Sequence, residues 1–346
     1  MAWWRRARRR EADAPRDVSS AIRRALVAVL DRELDAAEAL LGDAVQRDSR
    51  EVDAYLALAR LYRQRGEIGR SIHLHQNLML RRDLAEPARF QALVGLADDF
   101  RAGGFVRRAI AAYEEVLAEQ PRHVGGLRAL IGLFVEVREP RRAIPLATRL
   151  ARLEGSDSRD AEAELFVDLA ECERTEGRSE AARKALRRAL RRDPNRVKAW
   201  IALGQVESEL GRTAKALAAW RRVPAIDRSA AASVYPRLAA SYAALGRARE
   251  HEAFLRQLLE TQPEDGVARL ALARALAGRG EVEEAIGEVR RVLEREPEQL
   301  EAHVVLGRIL LADGRTPELA KAHEELLDVL ERQRVAPVAD TGDPFA

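Results

Sequence analysis

The chain has 346 residues, 33% of them charged, and a formal net charge of +3. The whole positive excess lies in residues 1–17, which hold six arginines and three carboxylates, so residues 18–346 are neutral overall. A basic face along the body is therefore not expected, which argues against nucleic acid as a partner. The single cysteine, Cys172, excludes an internal disulfide and any CxxC metal pair.

Residues 1–17 are the first predicted element, a basic arm rich in tryptophan and arginine that we expect to be disordered. Trp3 and Trp4 suit a bilayer interface, and the neighbouring Arg5 and Arg6 suit anionic headgroups. The arm is thus a candidate for peripheral membrane contact, with a solvated tail as the alternative. No apolar stretch approaches 18 residues, so no membrane-spanning helix is expected.

Beyond the arm, leucine recurs at intervals of 34 to 39 residues. It occupies positions 58, 96, 130, 169, 203, 238, 272 and 306. A period near 34 residues is typical of the tetratricopeptide repeat (TPR), in which a pair of antiparallel helices stacks on the next pair. The chain therefore resembles TPR proteins, and the resemblance implies binding rather than chemistry.

Three further positions keep register with this leucine when it is taken as the seventh residue of each repeat. Position 8 is small in eight repeats and position 20 in seven, which lets helix backbones approach closely. His251 is an exception at position 20. Position 15 is glycine in seven repeats, because glycine readily adopts the left-handed conformation that ends a helix. The repeats then begin at residues 18, 52, 90, 124, 163, 197, 232, 266 and 300.

These rules predict an all-α fold, a right-handed superhelical solenoid of about nine TPR helix pairs over residues 18–333. Residues 334–346 are predicted to be a disordered tail. Two joints, residues 82–87 and 155–160, are longer than the others. We expect the stack of repeats to continue across both, with a local change in superhelical angle at each.

Motifs for catalysis or metal binding are not found in the sequence, so no catalytic residue, metal or cofactor is predicted. His75 falls where a large packing residue is usual, and we expect it to lie between helices. Cys172 is expected to be a partly buried small residue, since no histidine near it in sequence would activate it. The chain is predicted not to be an enzyme; a subunit of an enzyme complex is the alternative.

The first helix of each TPR pair lines the concave face, which predicts where a partner binds. In repeats 2 to 5 this face is charged, mixed in sign and rich in arginine, which can hold carboxylates bidentately. The residues predicted to contact a helix or extended segment of a partner protein are Arg60, Arg63, Gln64, Asp98, Arg101, Arg128, Glu171 and Arg174. In repeat 7 the same face is small and smooth, with Ser233, Pro236, Ala240, Ala243 and Ala244. No small-molecule substrate is predicted.

The run RGEIGRSIHLHQNL, at residues 65–78, resembles the second repeat of the lipopolysaccharide assembly protein B family. The similarity continues more weakly through residues 96–117. It implies a family-like surface around Arg70, His75 and Gln76. The family's N-terminal membrane helix and C-terminal rubredoxin-like metal domain are expected to be missing here, because no apolar segment of that length and no CxxC pair is found.

The resemblance implies an alternative to a general scaffold. Members of that family are inner-membrane adaptors that face the cytoplasm and help a protease to regulate lipid A synthesis. The first hypothesis is a cytoplasmic, non-enzymatic scaffold that binds a partner segment in its groove. The alternative is a regulator of lipopolysaccharide synthesis at the cytoplasmic face of the inner membrane, with the basic arm making peripheral contact.

Overall fold

The computed structural model describes residues 18–335, which fold into α-helices and turns with no strand in that range. The chain divides into two compact units, residues 1–168 and residues 169–346. The predicted all-α fold of stacked helix pairs is therefore confirmed. Residues 1–17, and with them Trp3, Trp4, Arg5 and Arg6, lie outside the described residues.

In the first unit the helices run as consecutive antiparallel pairs. They are α1 (Val18–Leu30), α2 (Leu34–Arg47), α3 (Val52–Gln64), α4 (Ile68–Met79), α5 (Glu86–Ala102), α6 (Val106–Glu119), α7 (Val124–Glu136) and α8 (Pro140–Glu154). Helix α9 (Arg159–Thr175) begins in this unit. The second helix of a pair contacts the first helix of the next, as α2 contacts α3 and α4 contacts α5. Neighbouring first helices also touch, because α3 contacts α5.

The second unit continues the same alternation after α9. Its helices are α10 (Ser179–Arg192), α11 (Val197–Glu209), α12 (Thr213–Trp220), α13 (Val223–Ile226), α14 (Arg228–Ala231), α15 (Tyr235–Ala244), α16 (Ala248–Thr261), α17 (Gly266–Gly278), α18 (Val282–Leu293), α19 (Leu300–Asp313) and α20 (Thr316–Val335). Here α15 contacts α17 and α17 contacts α19, so three first helices lie side by side.

The turn inside every repeat is made by a residue in the left-handed conformation at position 15. Seven glycines hold this position, and Arg32 and Arg138 hold it in the other two repeats, all with φ between 60° and 84°. The residue after each of them donates its backbone N–H to the carbonyl five residues earlier, at 2.7 to 3.1 Å. This bond terminates the first helix and sets the direction of the second. The repeat therefore requires the left-handed conformation and not glycine itself. Arginine also adopts this conformation, at a cost in conformational energy.

Small side chains set the closeness of the two helices in a pair. The seven small residues at position 20 are completely buried: Ala37, Ser71, Ala109, Ala143, Ala182, Ala216 and Ala285. Position 8 is equally restricted in repeat 6, where a Cβ added to Gly204 would lie 2.2 Å from the Trp220 ring. The apolar residues around these positions form the core of each unit, including Leu130 in the first and Leu238 and Leu272 in the second.

The extra residues of the two long joints are built into helices. Helices α5 and α9 each begin four residues before the predicted repeat start and have 17 residues each. Pro87 lies in the first turn of α5, where its missing N–H and fixed φ are tolerated. At the other joint the Asp157 carboxylate accepts the backbone N–H of Arg159 at 2.9 Å. The extra residues thus extend two first helices by about one turn.

Repeats 6 and 7 are less regular than the period suggests. Helix α12 has only eight residues and is followed by the one-turn helices α13 and α14. Pro224 lies in the first turn of α13 and offers no backbone N–H, so α12 does not run on through it. Helix α15 starts at Tyr235, three residues after the predicted repeat start, with Pro236 in its first turn.

At the C-terminal end α20 runs to Val335, so residues 334 and 335 are helical and the rest of the predicted tail lies outside the described residues. Among the helices of residues 18–335, none combines the length and apolar character that crossing a bilayer requires.

Gly280 and Gly278 provide a matched test of the turn conformation. Gly280 has a φ of 84°, whereas Gly278 ends α17 in an ordinary conformation, and an added Cβ meets nothing within 4 Å at either position. Gly280→Ala should lower the free energy of unfolding by about 1–2 kcal/mol, because only the backbone is strained. Gly278→Ala should raise it by about 0.4–1 kcal/mol through lower entropy of the unfolded chain. The free energies of unfolding are measured by urea titration. Equal changes in the two variants would contradict the role assigned to the left-handed conformation of Gly280.

Candidate functional site

The first helices of repeats 2 and 3 carry an exposed charged face, defined here by Arg60, Gln64 and Arg101. All three side chains are exposed, on α3 and on the neighbouring α5. Arg60 makes no hydrogen bond or ion pair with any residue of the described range. Arg101 is 56% exposed and lies 3.9 Å from the Asp98 carboxylate. These three side chains are therefore accessible from solvent.

Arg63 belongs to the predicted contact set, but it is partly buried and its guanidinium is bonded within the protein. Its guanidinium donates to the Gly95 carbonyl at 3.1 Å and to Asp99 Oδ1 at 2.8 Å, and it lies 3.5 Å from Asp98. Asp98 also accepts the Tyr113 hydroxyl. Arg63 and Asp98 therefore join repeats 2 and 3 to each other, and part of the predicted groove is a structural network.

His75 completes this network and does not lie on a surface, contrary to the family-like surface predicted for it. It is 1% exposed, and its Nδ1 is 2.6 Å from Oδ2 of the fully buried Asp99. The ring lies against Gly95, where an added Cβ would be 2.2 Å from Nε2. The expectation that His75 packs between helices is confirmed.

The other two residues of the family-like surface are accessible. Arg70 is about half exposed; it donates to Glu67 at 2.6 Å and to the Tyr62 hydroxyl at 2.5 Å. Gln76 is partly exposed. Burial and hydrogen bonding to Glu38 raise the pKa of Tyr62.

The remaining predicted contact residues are charged and paired. Arg128 is 68% exposed and bonds Glu154 at 2.6 Å, within its own helix pair. In the second unit, Glu171 and Arg174 bond each other at 2.8 Å, and Arg174 also lies 3.3 Å from Glu209. Hydrogen bonding to Glu171 raises the pKa of Arg174, so its charge is permanent. Arg128, Glu171 and Arg174 thus each have a charged partner within their own unit.

A pocket of about 580 Å³ opens on the first helices of repeats 7, 8 and 9, and we call it the repeat-7 pocket. Small and apolar side chains cover much of it: Pro236, Ala239, Ala243, Ala271 and Ala275. The sequence had indicated this small, smooth face but not a binding site there. The lining also includes Tyr242, His251 and three arginines, which the predicted contact set does not contain.

His251 explains why the pocket forms in this repeat. It occupies position 20, where seven other repeats place a completely buried small residue. Its ring stacks on Tyr242 with centroids 4.9 Å apart and planes 25° apart. Helix α15 has ten residues and α17 has thirteen, so α15 contacts its partner helix over a shorter length. Ala239 at position 8 is consequently exposed to the pocket, whereas the alanines at that position in five other repeats are buried.

Each of these two side chains carries a polar atom that lacks a hydrogen-bond partner among the described residues. The Tyr242 hydroxyl and His251 Nε2 are buried and have no hydrogen-bond partner among the described residues. Tyr242 is 1% exposed and His251 is 6% exposed. Burial raises the pKa of Tyr242 and lowers the pKa of His251, because it penalises the charged form of each. His251 is therefore kept neutral at physiological pH.

The charged side chains of the pocket differ in how they are satisfied. Arg274 bonds Glu301 at 2.8 Å across α17 and α19, and Arg279 pairs with Glu252 and with Glu281. Arg308 is exposed on α19 and has no partner in the described part of the chain. The pocket thus combines an apolar lining, two buried polar groups and one uncompensated cation.

Tyr235, at another side of the pocket, is fixed by a different buried contact. Its hydroxyl donates to Asp265 Oδ2 at 3.2 Å, and Asp265 also caps α17 by accepting the Ala268 N–H at 2.9 Å. Burial raises the pKa of Tyr235, and the negative charge of Asp265 raises it further. Tyr235 is thus a satisfied lining residue, unlike Tyr242.

Metal chemistry gains no support from the arrangement of side chains. Within residues 18–335, no three histidine, cysteine, aspartate or glutamate residues converge in a way that could hold an ion. Cys172 is partly buried, as expected.

The buried carboxylate of the Arg63–Asp99–His75 network should dominate the stability of the joint between repeats 2 and 3. Asp99→Asn removes the charge at constant volume, and we expect it to lower the free energy of unfolding by about 3 kcal/mol or more. Asp98→Asn is the control, because Asp98 is partly exposed and should cost less than about 1 kcal/mol. Equal losses in urea titration would contradict the assigned role of Asp99.

Neutral burial of His251 gives the second unit a pH dependence of defined sign. Because the folded pKa lies below the unfolded value, the unfolded state binds more protons, and stability falls as the pH drops below about 6.5. We expect His251→Phe to lose less thermal stability between pH 7.5 and pH 5.5 than the unmodified chain. The exposed His323→Gln is the control and should leave the dependence unchanged. If His251→Phe and the unmodified chain lost the same thermal stability over this pH range, His251 would not be the source of the pH dependence.

Comparison with known proteins shows related sequences of one kind. The chain is 29% identical to lipopolysaccharide assembly protein B of Escherichia coli K12 over 262 residues, 74% of this chain and 67% of that protein. It is 26% identical to the protein of the same name from Haemophilus influenzae over 181 residues, 49% of this chain and 44% of that protein. Among solved structures, a tetratricopeptide repeat protein from Parabacteroides merdae is 14% identical with a TM-score of 0.38, covering 75% of this chain and 98% of that chain.

Family models agree with the period of the sequence and with the helix pairs. A model described as tetratricopeptide repeat matches residues 78–298, more than half of the chain. A second model with the same description matches residues 270–333. The chain therefore belongs to the tetratricopeptide repeat family.

Proposed function

We propose that this chain is a non-enzymatic adaptor that binds a segment of a partner protein along its first helices. The observation that carries the proposal is the charged face, where Arg60, Gln64 and Arg101 stay exposed on adjacent helices. Neighbouring first helices form a continuous groove. A groove of this kind can hold an extended or helical segment of a partner.

The charged face supports recognition of carboxylates in particular. Arg60 has its guanidinium unengaged within the described residues, and Arg101 has only a 3.9 Å approach to Asp98. A guanidinium binds a carboxylate bidentately and loses little hydration on doing so. Arg63, by contrast, donates hydrogen bonds to Gly95 and Asp99. It would therefore hold the charged face in place and would not contact the partner.

Charge reversal tests the proposal. In native cells the tagged chain is cross-linked, and captured proteins are quantified by mass spectrometry for the unmodified chain and for the double variant Arg60→Glu, Arg101→Glu. We expect a defined set of proteins to fall at least tenfold in the double variant, because two favourable contacts become repulsive.

The control is Arg107→Glu on α6. Arg107 is also exposed and unpaired within the described residues, but it lies on a second helix. The captured set should remain within twofold of the unmodified chain. Capture that survives the double reversal, or that Arg107→Glu abolishes equally, would rule out the charged face as the binding surface.

A second candidate function is a part in lipopolysaccharide assembly, as a protease adaptor on the cytoplasmic side of the inner membrane. The observation favouring it is the 29% identity to lipopolysaccharide assembly protein B, which extends over 67% of that protein. The basic residues 1–17 would supply peripheral contact with anionic lipid in this case. Enrichment of a lipid A enzyme or a membrane protease in the same capture favours this role, and their absence favours a general scaffold.

A further inference from the structure

We propose that the repeat-7 pocket binds an acidic peptide, with a carboxylate on Arg308 and a neighbouring large apolar side chain seated between α15 and α17. The inference rests on the proposed function, since it names the chemistry of a partner segment at one place. The pocket is formed by residues of the second unit only. It shares no residue with the charged face, which lies in the first unit.

Two buried polar groups without partners are the first argument. The Tyr242 hydroxyl can donate or accept, and neutral His251 has one donor and one acceptor nitrogen. Both residues line the pocket and are more than nine-tenths buried. Buried groups of this kind normally have partners, so a bound segment that shifts the stacked rings would supply the missing ones through its polar backbone.

Charge gives the second argument. The glutamate and two of the three arginines in the lining are already paired, through Arg274 with Glu301 and Arg279 with Glu252. Arg308 is left as an exposed cation beside an apolar lining. One spare guanidinium complements one carboxylate, so the fitting ligand is an aspartate or glutamate next to an apolar residue.

The third argument is shape. The volume of about 580 Å³ lies within the usual range of ligand sites, about 300–1,000 Å³. Its lining comes from α15, α17 and α19, and two helix spacings of about 10 Å make a surface roughly 20 Å long. About six extended residues span that length. A peptide therefore matches the site better than a small carboxylate does.

The test begins with selection of random 12-residue peptides displayed on phage against the full-length chain. Enriched sequences are synthesised with a fluorescein label, and their Kd values are measured by fluorescence anisotropy. We expect an acidic residue beside a large aliphatic or aromatic one, and a Kd that rises at least tenfold for Arg308→Glu. Replacing the acidic residue of the peptide with lysine should restore binding to Arg308→Glu.

Two more variants probe the pocket itself. Ala239→Phe fills the exposed space at position 8 and should raise the Kd at least tenfold. Tyr242→Phe should raise it about fivefold while leaving the free protein at least as stable in thermal melting, because an unpaired buried hydroxyl is removed. Arg290→Glu on α18, outside the pocket, is the control and should change the Kd less than twofold.

Several results would overturn the proposal. They are selection of peptides without a carboxylate, absence of any enriched sequence, and equal binding by the Arg308→Glu variant. If N-acetyl-aspartate binds as tightly as the selected peptide, the site takes a small carboxylate and the peptide assignment is wrong. Peptide binding that responds to Arg60→Glu and not to Arg308→Glu would retain the adaptor function and reject this pocket.

Discussion

Each repeat depends on one residue in the left-handed conformation, because this residue folds the second helix back along the first. The backbone bond that follows it recurs in all nine repeats, whether the residue is glycine or, at Arg32 and Arg138, arginine. Once the turn is fixed, position 8 faces position 20, and the small side chains that most repeats place there let the two helices pack closely. Stacking then follows, because a closed pair presents apolar side chains that only the next pair can cover.

The sequence predicted these features because they are local and periodic. Leucine spacing, small residues and glycine identify the pairs without knowledge of long-range contacts. The repeat period alone did not locate the helix starts at the two long joints, because Pro87 and Asp157 favour earlier starts and the extra residues join the helices. Pro224 acts in the opposite sense and shortens α12, which a repeat period alone does not show.

The site was harder to predict because its contacts join residues far apart in sequence. Arg63 and Asp99 are 36 residues apart and His75 and Asp99 are 24 apart, so the sequence did not reveal which charges neutralise each other. A first-helix arginine can therefore be a structural group, as Arg63 is, or an exposed one, as Arg60 is. The signal for the pocket was present, since His251 violates a size rule that seven other repeats obey. Its meaning required the Tyr242 stack and the exposed Ala239.

The departure at His251 is unfavourable for the free protein, and this favours a binding role for the pocket. Alanine at position 20 would close the pair as it does in six other repeats and would leave no nitrogen buried without a partner. An unsatisfied buried polar group costs roughly 1–3 kcal/mol, and here there are two. Local rules are most often broken at functional sites, where a bound molecule supplies what the fold omits. A bound backbone that shifts the stacked rings and satisfies Tyr242 and His251 would recover that cost in the complex, so the same groups that weaken the free repeat would strengthen binding.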